Sequence, residues 1–210
     1  MRWPGFRRSS SRKESEMENT NRLQRQLRSI SSKFETREEN GELKIEGYFA
    51  VFNSVYQIYD DLSESIAPGA FDDTLGEDIR ALIDHNTRLV LGRNTAHTLE
   101  LRVDSHGLFG SITINPKDQD AMNLYARVQR GDVDQCSFGF DILSEDYDVR
   151  EDGSVHWTIT KVKLYEVSVC TFPAYEETNV QARSAERDEI KRKALEAWKV
   201  RTLAKLKGEK

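Results

Sequence analysis

The sequence predicts a mainly antiparallel β-barrel carrying helices, an α+β chain in which strands dominate. Most of the middle of the chain consists of short alternating apolar and polar runs, about eight or nine of them, divided by turn residues. Only one stretch of that region has a clear helical period, with Ala121, Leu124, Tyr125 and Val128 at i, i+3, i+4 and i+7. The turn signals Asn40-Gly41, Asp104 to Gly107 and Asp152-Gly153 join neighbouring runs as hairpins.

The elements follow in order. Residues 1–28 are rich in Arg, Ser, Asn and Glu. They bury too little apolar surface to offset chain entropy, which predicts a disordered basic and polar tail with at most a short helix from Asn21 to Leu27. Met17 offers an alternative start. The folded domain is expected over residues 29–182. It opens with alternation through Ile30, Ser32, Phe34 and Thr36, then Asn40-Gly41, then Leu43, Ile45, Gly47, Phe49 and Val51. Pro68-Gly69 turns the chain into a short helix near Phe71 to Leu75. Ile79 to Asn86 reads as a largely buried strand ending in polar residues, with His85 at its end, and Leu89 to Leu91 as another short strand.

A hairpin pairs Leu99, Leu101 and Val103 with Leu108, Gly110, Ile112 and Ile114. The helix through Tyr125 follows, with Asp118 as its cap and Gly131 as its stop. It delivers the chain to a strand through Gln135 to Tyr147, which returns after Asp152-Gly153 as a long strand from Val155 to Thr171. Phe172-Pro173 ends that strand, because proline cannot continue a central ladder. Residues 183–210 form a basic amphipathic helix with Ile190, Ala194, Ala197 and Trp198 on one side.

Composition narrows the function classes. The chain has 210 residues, 37% hydrophobic and 32% charged, which fits one soluble domain with polar extensions. No apolar run approaches the about 18 residues of a membrane span, and the basic start is not followed by a signal-type apolar stretch, so the expected setting is cytosolic. A net charge of −5 argues against a nucleic-acid binder as a whole, although both ends are rich in Lys and Arg. Cys136 and Cys170 sit in apolar runs without metal-ligand spacing and read as buried free thiols. Asp60-Asp61 and Asp118 to Asp120 read as turn and cap residues. No phosphate loop, metalloprotease helix or zinc spacing is present, so no cofactor and no metal is expected.

Three polar residues stand in strand-like apolar surroundings: His85, Ser137 and Glu166. Alternation puts Cys136, Phe138 and Phe140 on one face and Ser137, Gly139 and Asp141 on the other, with Gly139 leaving space beside the hydroxyl. A serine nucleophile needs a base for its proton and an acceptor to orient that base. Among the histidines, His97 reads as packed or at an edge, and His106 and His156 as solvated near turns. Only His85 ends a buried strand. Among the acids, Asp84 points to the opposite face from His85, and Asp141 lies roughly 13 Å along the strand from Ser137. Glu166 lies on a face with Val162, Leu164, Ser168 and Cys170, where a buried carboxylate requires a partner, either His85 or an Arg. These residues define a candidate serine hydrolase.

The stretches Ile45 to Asn53, Ala67 to Phe71, Leu82 to Asn86, Leu91 to Arg93, Cys136 to Phe140 and Glu166 to Ala174 occur together and in order. In this the chain resembles the prohead maturation proteases of HK97-like tailed phages over about residues 29 to 182. The resemblance implies a serine endopeptidase with a herpesvirus-protease-like fold, a β-barrel surrounded by helices as in the assemblins. It implies Ser137 as nucleophile, His85 as general base and Glu166 in the acidic third position, where assemblins use a second histidine. The oxyanion donors are not identified; backbone N–H groups and an Arg such as Arg93 are candidates.

The implied activity is cleavage of the scaffolding part of the major capsid protein, and self-cleavage, inside the immature procapsid in the host cytoplasm. The implied partners are that capsid protein and the chain itself, as a homodimer or higher oligomer, with no membrane and no specific nucleic acid. The 183–207 segment would dock on scaffold helices, be removed by self-cleavage, or close the barrel as a solvated amphipathic helix. The alternatives are a non-enzymatic capsid-assembly protein that kept the fold, and a small-molecule hydrolase.

Overall fold

The computed structural model describes residues 6–8, 26–31, 34–150, 152–172, 187–193, 195–196 and 199. The strands in chain order are β1 (Phe6–Arg8), β2 (Gln26–Ser31), β3 (Glu35–Glu39), β4 (Glu42–Val51), β5 (Tyr56–Tyr59), β6 (Leu62–Ile66), β7 (Arg80–Ile83), β8 (Asn86–Arg93), β9 (Leu99–Val103), β10 (Gly107–Ile114), β11 (Gln135–Val149) and β12 (Val155–Cys170). Helix α1 (Gln119–Arg130) lies between β10 and β11.

The strands form two sheets that do not close into a barrel, which corrects the expected architecture. One sheet has the order β3-β4-β10-β9. The other is built on the β11–β12 ribbon, whose two halves have different neighbours. At the Ser137 end β2 flanks β11 and β7 flanks β12, whereas at the far end β1 flanks β11 and β6 flanks β12. A ribbon this long splits its sheet into two wings instead of bringing the edges together. Nor is the sheet wholly antiparallel, because β6 and β7 both run parallel to β12. Helices do not surround it: among the described residues the α-helical segments are α1 and the stretch from 187 onward.

The apolar faces of the two sheets and α1 share one core. Ile45 and Phe49 of β4, Leu108 and Ile112 of β10, Leu124 of α1, Phe138 and Phe140 of β11 and Val167 of β12 are all buried in it. Helix α1 forms as its periodicity predicts. The Asp118 carboxylate accepts from the Asp120 and Ala121 amides at 3.0 and 3.3 Å, and Gly131 ends the helix at φ 84°.

The alternating run expected to start at Ile30 is divided between the sheets, β2 joining β11 and β3 joining β4. Pairing also begins before residue 29, since Gln26 to Arg28 lie in β2 and Phe6–Arg8 pairs with β11. Around Phe71 successive i to i+3 turns replace the expected short helix, with the amides of Asp72, Thr74 and Glu77 donating to the carbonyls of Gly69, Phe71 and Thr74.

Strand β6 escapes a reading by alternation because it is buried and largely polar: Leu62-Ser63-Glu64-Ser65-Ile66. Each polar residue has a partner. Arg28 of β2 donates to both Glu64 oxygens, through Nη2 at 3.0 Å and through Nε, and also to Gln26 Oε1 at 2.8 Å. Ser63 and Ser65 engage the two ring nitrogens of His156 at 2.8 and 2.9 Å. His156 is therefore half-buried rather than solvated, and its burial, followed by the Arg150 charge, lowers its pKa.

Breaking a buried ion pair strands its partner. Arg28→Met should cost about 3–5 kcal/mol in chemical denaturation, and adding Glu64→Leu should recover most of the loss. An additive double mutant would show that the two charges are not coupled.

The described helical residues from 187 dock on the far end of the ribbon. Ile190 is buried with Leu62, Val149, Val155 and Trp157. Arg187 and Lys191 both donate to Asp61, at 2.9 and 2.7 Å. Asp61 thus anchors this helix, beyond its role in a turn. Pro173 and residues 200–210 lie outside the described residues.

Candidate active site

The three sequence-predicted residues come from β11, β12 and the β7–β8 turn. In β11, Phe138 and Phe140 stack at 4.8 Å between centroids in the core, which turns Ser137 and Gly139 to the opposite face. Cross-strand register places Ser137 beside Ser168 and Gly139 beside Glu166.

Beyond Glu166 the register slips, since Gly139 faces Glu166 but Phe140 faces Leu164. Tyr165 is the extra residue of a β-bulge. The bulge corrects the expectation of one continuous face on β12: Val162 and Leu164 join Val167 and Val169 in the core, while Glu166 stays on the Ser137 face. Tyr165 donates its hydroxyl proton to Asp141 at 2.6 Å, which occupies that rival acid.

Gly139 has a different role from the one expected. A Cβ there would collide with Glu166 Oε1, so the missing side chain makes room for the carboxylate instead of leaving open space beside the hydroxyl. Gly139→Ala should push Glu166 off His85 and lower activity roughly 100-fold, the scale of a misplaced catalytic group. Cleavage rates measured beside a thermal melt check this, because a mere packing defect would lower the melting temperature and leave the rate per folded molecule unchanged.

His85 does not end a strand. It is the second residue of a two-residue turn between Ile83 and Asn86, and both turn residues are left-handed, Asp84 at φ 48° and His85 at φ 57°. This is the pattern of a type I′ hairpin turn, which glycine and asparagine favour and which costs other residues about 1–3 kcal/mol each. Contacts to β12 and the residue after it hold the turn. The Asp84 amide donates to the Val169 carbonyl at 3.1 Å, and Asp84 Oδ1 accepts from the Thr171 amide at 2.7 Å. The Asp84 side chain thus ties down the turn that presents His85.

His85 Nδ1 lies 2.8 Å from Glu166 Oε1. An ionised carboxylate can only accept, so Nδ1 carries the proton and Nε2 keeps its lone pair. Glu166 is 4% exposed, and its other oxygen accepts from Ser168 Oγ at 2.6 Å. The partner of the buried acid is therefore the histidine. Arg80, its neighbour across the parallel pairing, binds Asp78 at 3.2 Å. Arg93 donates to both oxygens of the same Asp78, at 2.6 and 2.7 Å, so its Nε and Nη2 are engaged away from any oxyanion.

Ser137 is fully buried, and its Oγ has no hydrogen-bond partner in the structure. His85 Nε2 instead lies 3.8 Å from Cys170 Sγ. Burial, then the charges of Asp84 and Glu166, push the Cys170 thiol up to about 12, so it stays a neutral S–H beside the ring. Cys136 and Cys170 are both buried, and neither is in a disulfide.

Sequence reasoning missed Ser168 and the anchoring role of Asp84. Ser168 was legible only as a neighbour of Glu166 on one strand face. The polar triplet Asp84-His85-Asn86 between apolar runs was the sole sign of a turn, because it contains no glycine.

A hydroxyl and a carboxylate on paired strands, with an imidazole on the β7–β8 turn bound to that carboxylate, are the parts of a serine hydrolase site. The chain belongs to the Caudovirus prohead serine protease family, whose model matches residues 31–193. It is 33% identical over 141 residues to the prohead protease of Enterobacteria phage HK97, covering 65% of this chain and 58% of that protein. The chain therefore spans a little over half the length of that relative. It also superposes on the bacteriophage T4 capsid assembly protease with a TM-score of 0.45 and 12% identity, over 71% of this chain and 98% of the other.

Proposed function

We propose that this chain is a serine endopeptidase of phage capsid maturation, which cuts the scaffolding part of the major capsid protein, and itself, inside the procapsid. Family membership supports the setting. One observation carries the chemistry: the 2.8 Å contact of His85 Nδ1 with a buried Glu166, on the sheet face that holds Ser137. The proposed relation to herpesvirus assemblins rests on the resemblance and extends to the site, not to a closed barrel.

In the proposed reaction Ser137 Oγ attacks the scissile carbonyl carbon, and His85 Nε2 takes the hydroxyl proton. Glu166 holds Nδ1–H and stabilises the imidazolium that forms. Collapse breaks the C–N bond, and Nε2 returns its proton to the departing amine. Water, deprotonated by the same nitrogen, then hydrolyses the acyl-enzyme and restores Ser137. Substrate engagement must draw Nε2 from Cys170 to Ser137, a tightening common when the reactive complex forms.

The purified chain, given a peptide spanning the junction between scaffold and shell segments of its capsid protein, should cut that peptide far faster than it hydrolyses a nitrophenyl ester. Ester hydrolysis without peptide cleavage would overturn the endopeptidase reading in favour of a small-molecule hydrolase.

A further inference from the structure

We infer that Ser168 is a positioning residue of this site, a brace that fixes the acid and the base relative to each other. The inference rests on the proposed roles of His85 and Glu166. Ser168 is fully buried on β12, one cross-strand step from Ser137. Its hydroxyl makes two contacts of opposite sense. It donates to Glu166 Oε2 at 2.6 Å and accepts from the His85 main-chain amide at 3.2 Å.

Each contact solves a separate problem. Glu166 has two oxygens and can rotate about its last side-chain bond; with Oε2 tied to Ser168, Oε1 is left facing His85 Nδ1. The His85 amide belongs to a left-handed turn residue and would otherwise be an unpaired donor beside a buried strand. A single hydroxyl therefore joins the carboxylate to the backbone that carries the imidazole. The loop of contacts closes from Ser168 to Glu166, to the His85 ring, to the His85 amide, and back to Ser168. Cys170, next on the same face, touches the far ring nitrogen at 3.8 Å and the Ser168 carbonyl also at 3.8 Å. The ring is thus bordered by this strand on both of its nitrogens.

The geometry requires a short hydroxyl-bearing side chain at this position. Alanine removes both contacts, whereas threonine retains the hydroxyl. The full chain is tested with Ser168→Ala and Ser168→Thr, using the capsid junction peptide for kinetics and the downfield proton resonance of His85 Nδ1–H as a spectroscopic readout. Ser168→Ala should lower kcat roughly 10- to 100-fold with KM little changed, as loss of a supporting contact does. It should also move or broaden the resonance, and Ser168→Thr should restore both. A folded Ser168→Ala chain with wild-type kcat and an unmoved resonance overturns the brace.

The resonance separates this inference from the functional reading. If the wild-type chain cuts no peptide, or Ser137→Ala cuts it equally well, the protease assignment fails, and the brace is still decided by whether Ser168→Ala shifts the His85 signal. Should threonine prove too large for the buried site, the melt and the resonance of the alanine variant decide for or against the brace on their own.

Discussion

Ser137→Ala is expected to abolish cleavage and at the same time leave the chain as stable as the wild type or more so. Removing a serine nucleophile costs about 10⁵- to 10⁶-fold in kcat where the base and acid act with it as one unit. The stability side follows from the hydroxyl's surroundings. Ser137 Oγ is fully buried and unpaired, and an unmet buried polar group costs about 1–3 kcal/mol. Alanine removes that cost without opening a cavity large enough to offset it. Denaturation should therefore show a gain of about 1 kcal/mol. A structural serine gives the reverse signature, with activity kept and stability lost. A stored cost at the one position where activity is expected is what a reactive group held ready for a substrate looks like.

The second large effect is expected from Glu166→Gln. The amide keeps the shape of the carboxylate and room beside Gly139, so the fold should persist. It can turn its NH₂ toward His85 Nδ1, which then accepts, and the proton moves to Nε2. A ring protonated at Nε2 cannot take the Ser137 proton, and a loss on the order of 10⁴-fold in kcat follows, as when the acid of a triad is made neutral. Raising the pH should not rescue the rate, because the defect is one of tautomer. A loss below tenfold would mean that Glu166 only packs against the ring. Glu166→Ala should be worse for stability, since it leaves Ser168 Oγ without its acceptor.

Much of this site is readable in the sequence alone. The Phe138-Gly139-Phe140 alternation puts Ser137 on the face opposite the two phenylalanines, and the helix ending at Gly131 marks where that strand begins. The requirement that a buried acid find a partner singles out Glu166, and the structure pairs it with His85. What could not be read involves two-strand or backbone information. The bulge at Tyr165 is invisible to a strict two-residue period, so that period assigns Val162 and Leu164 to the wrong face. The Asp84-His85 turn lacks the glycine that marks such turns, because contacts from Val169, Ser168 and Thr171 hold it in place. Strand β6 is hidden because its Ser63, Glu64 and Ser65 are buried only by virtue of Arg28 and His156, which lie 36 and 91 to 93 residues away. The barrel failed for a related reason: strand count is local, but closure depends on which strand flanks each half of the β11–β12 ribbon.

The N-terminal region shows the same limit. Arg28 looks like one more charge in a polar tail, yet its guanidinium binds Glu64 and lies over the Phe140 ring, 5.7 Å from the ring centroid. A long-range partner converts a disorder signal into a strand.

Co-expression decides whether Ser137 is the nucleophile of a capsid-maturation protease. The capsid protein is co-expressed with the wild-type chain and with Ser137→Ala, and both proteins are recovered for intact mass and N-terminal sequencing. With the wild type, a capsid protein shortened at one defined site is expected, together with a shortened protease chain; with Ser137→Ala, both should remain full length. Cleavage at the same site by the Ser137→Ala chain would contradict the nucleophile assignment, and full-length capsid protein with the wild type would favour a non-enzymatic assembly protein that has kept the fold.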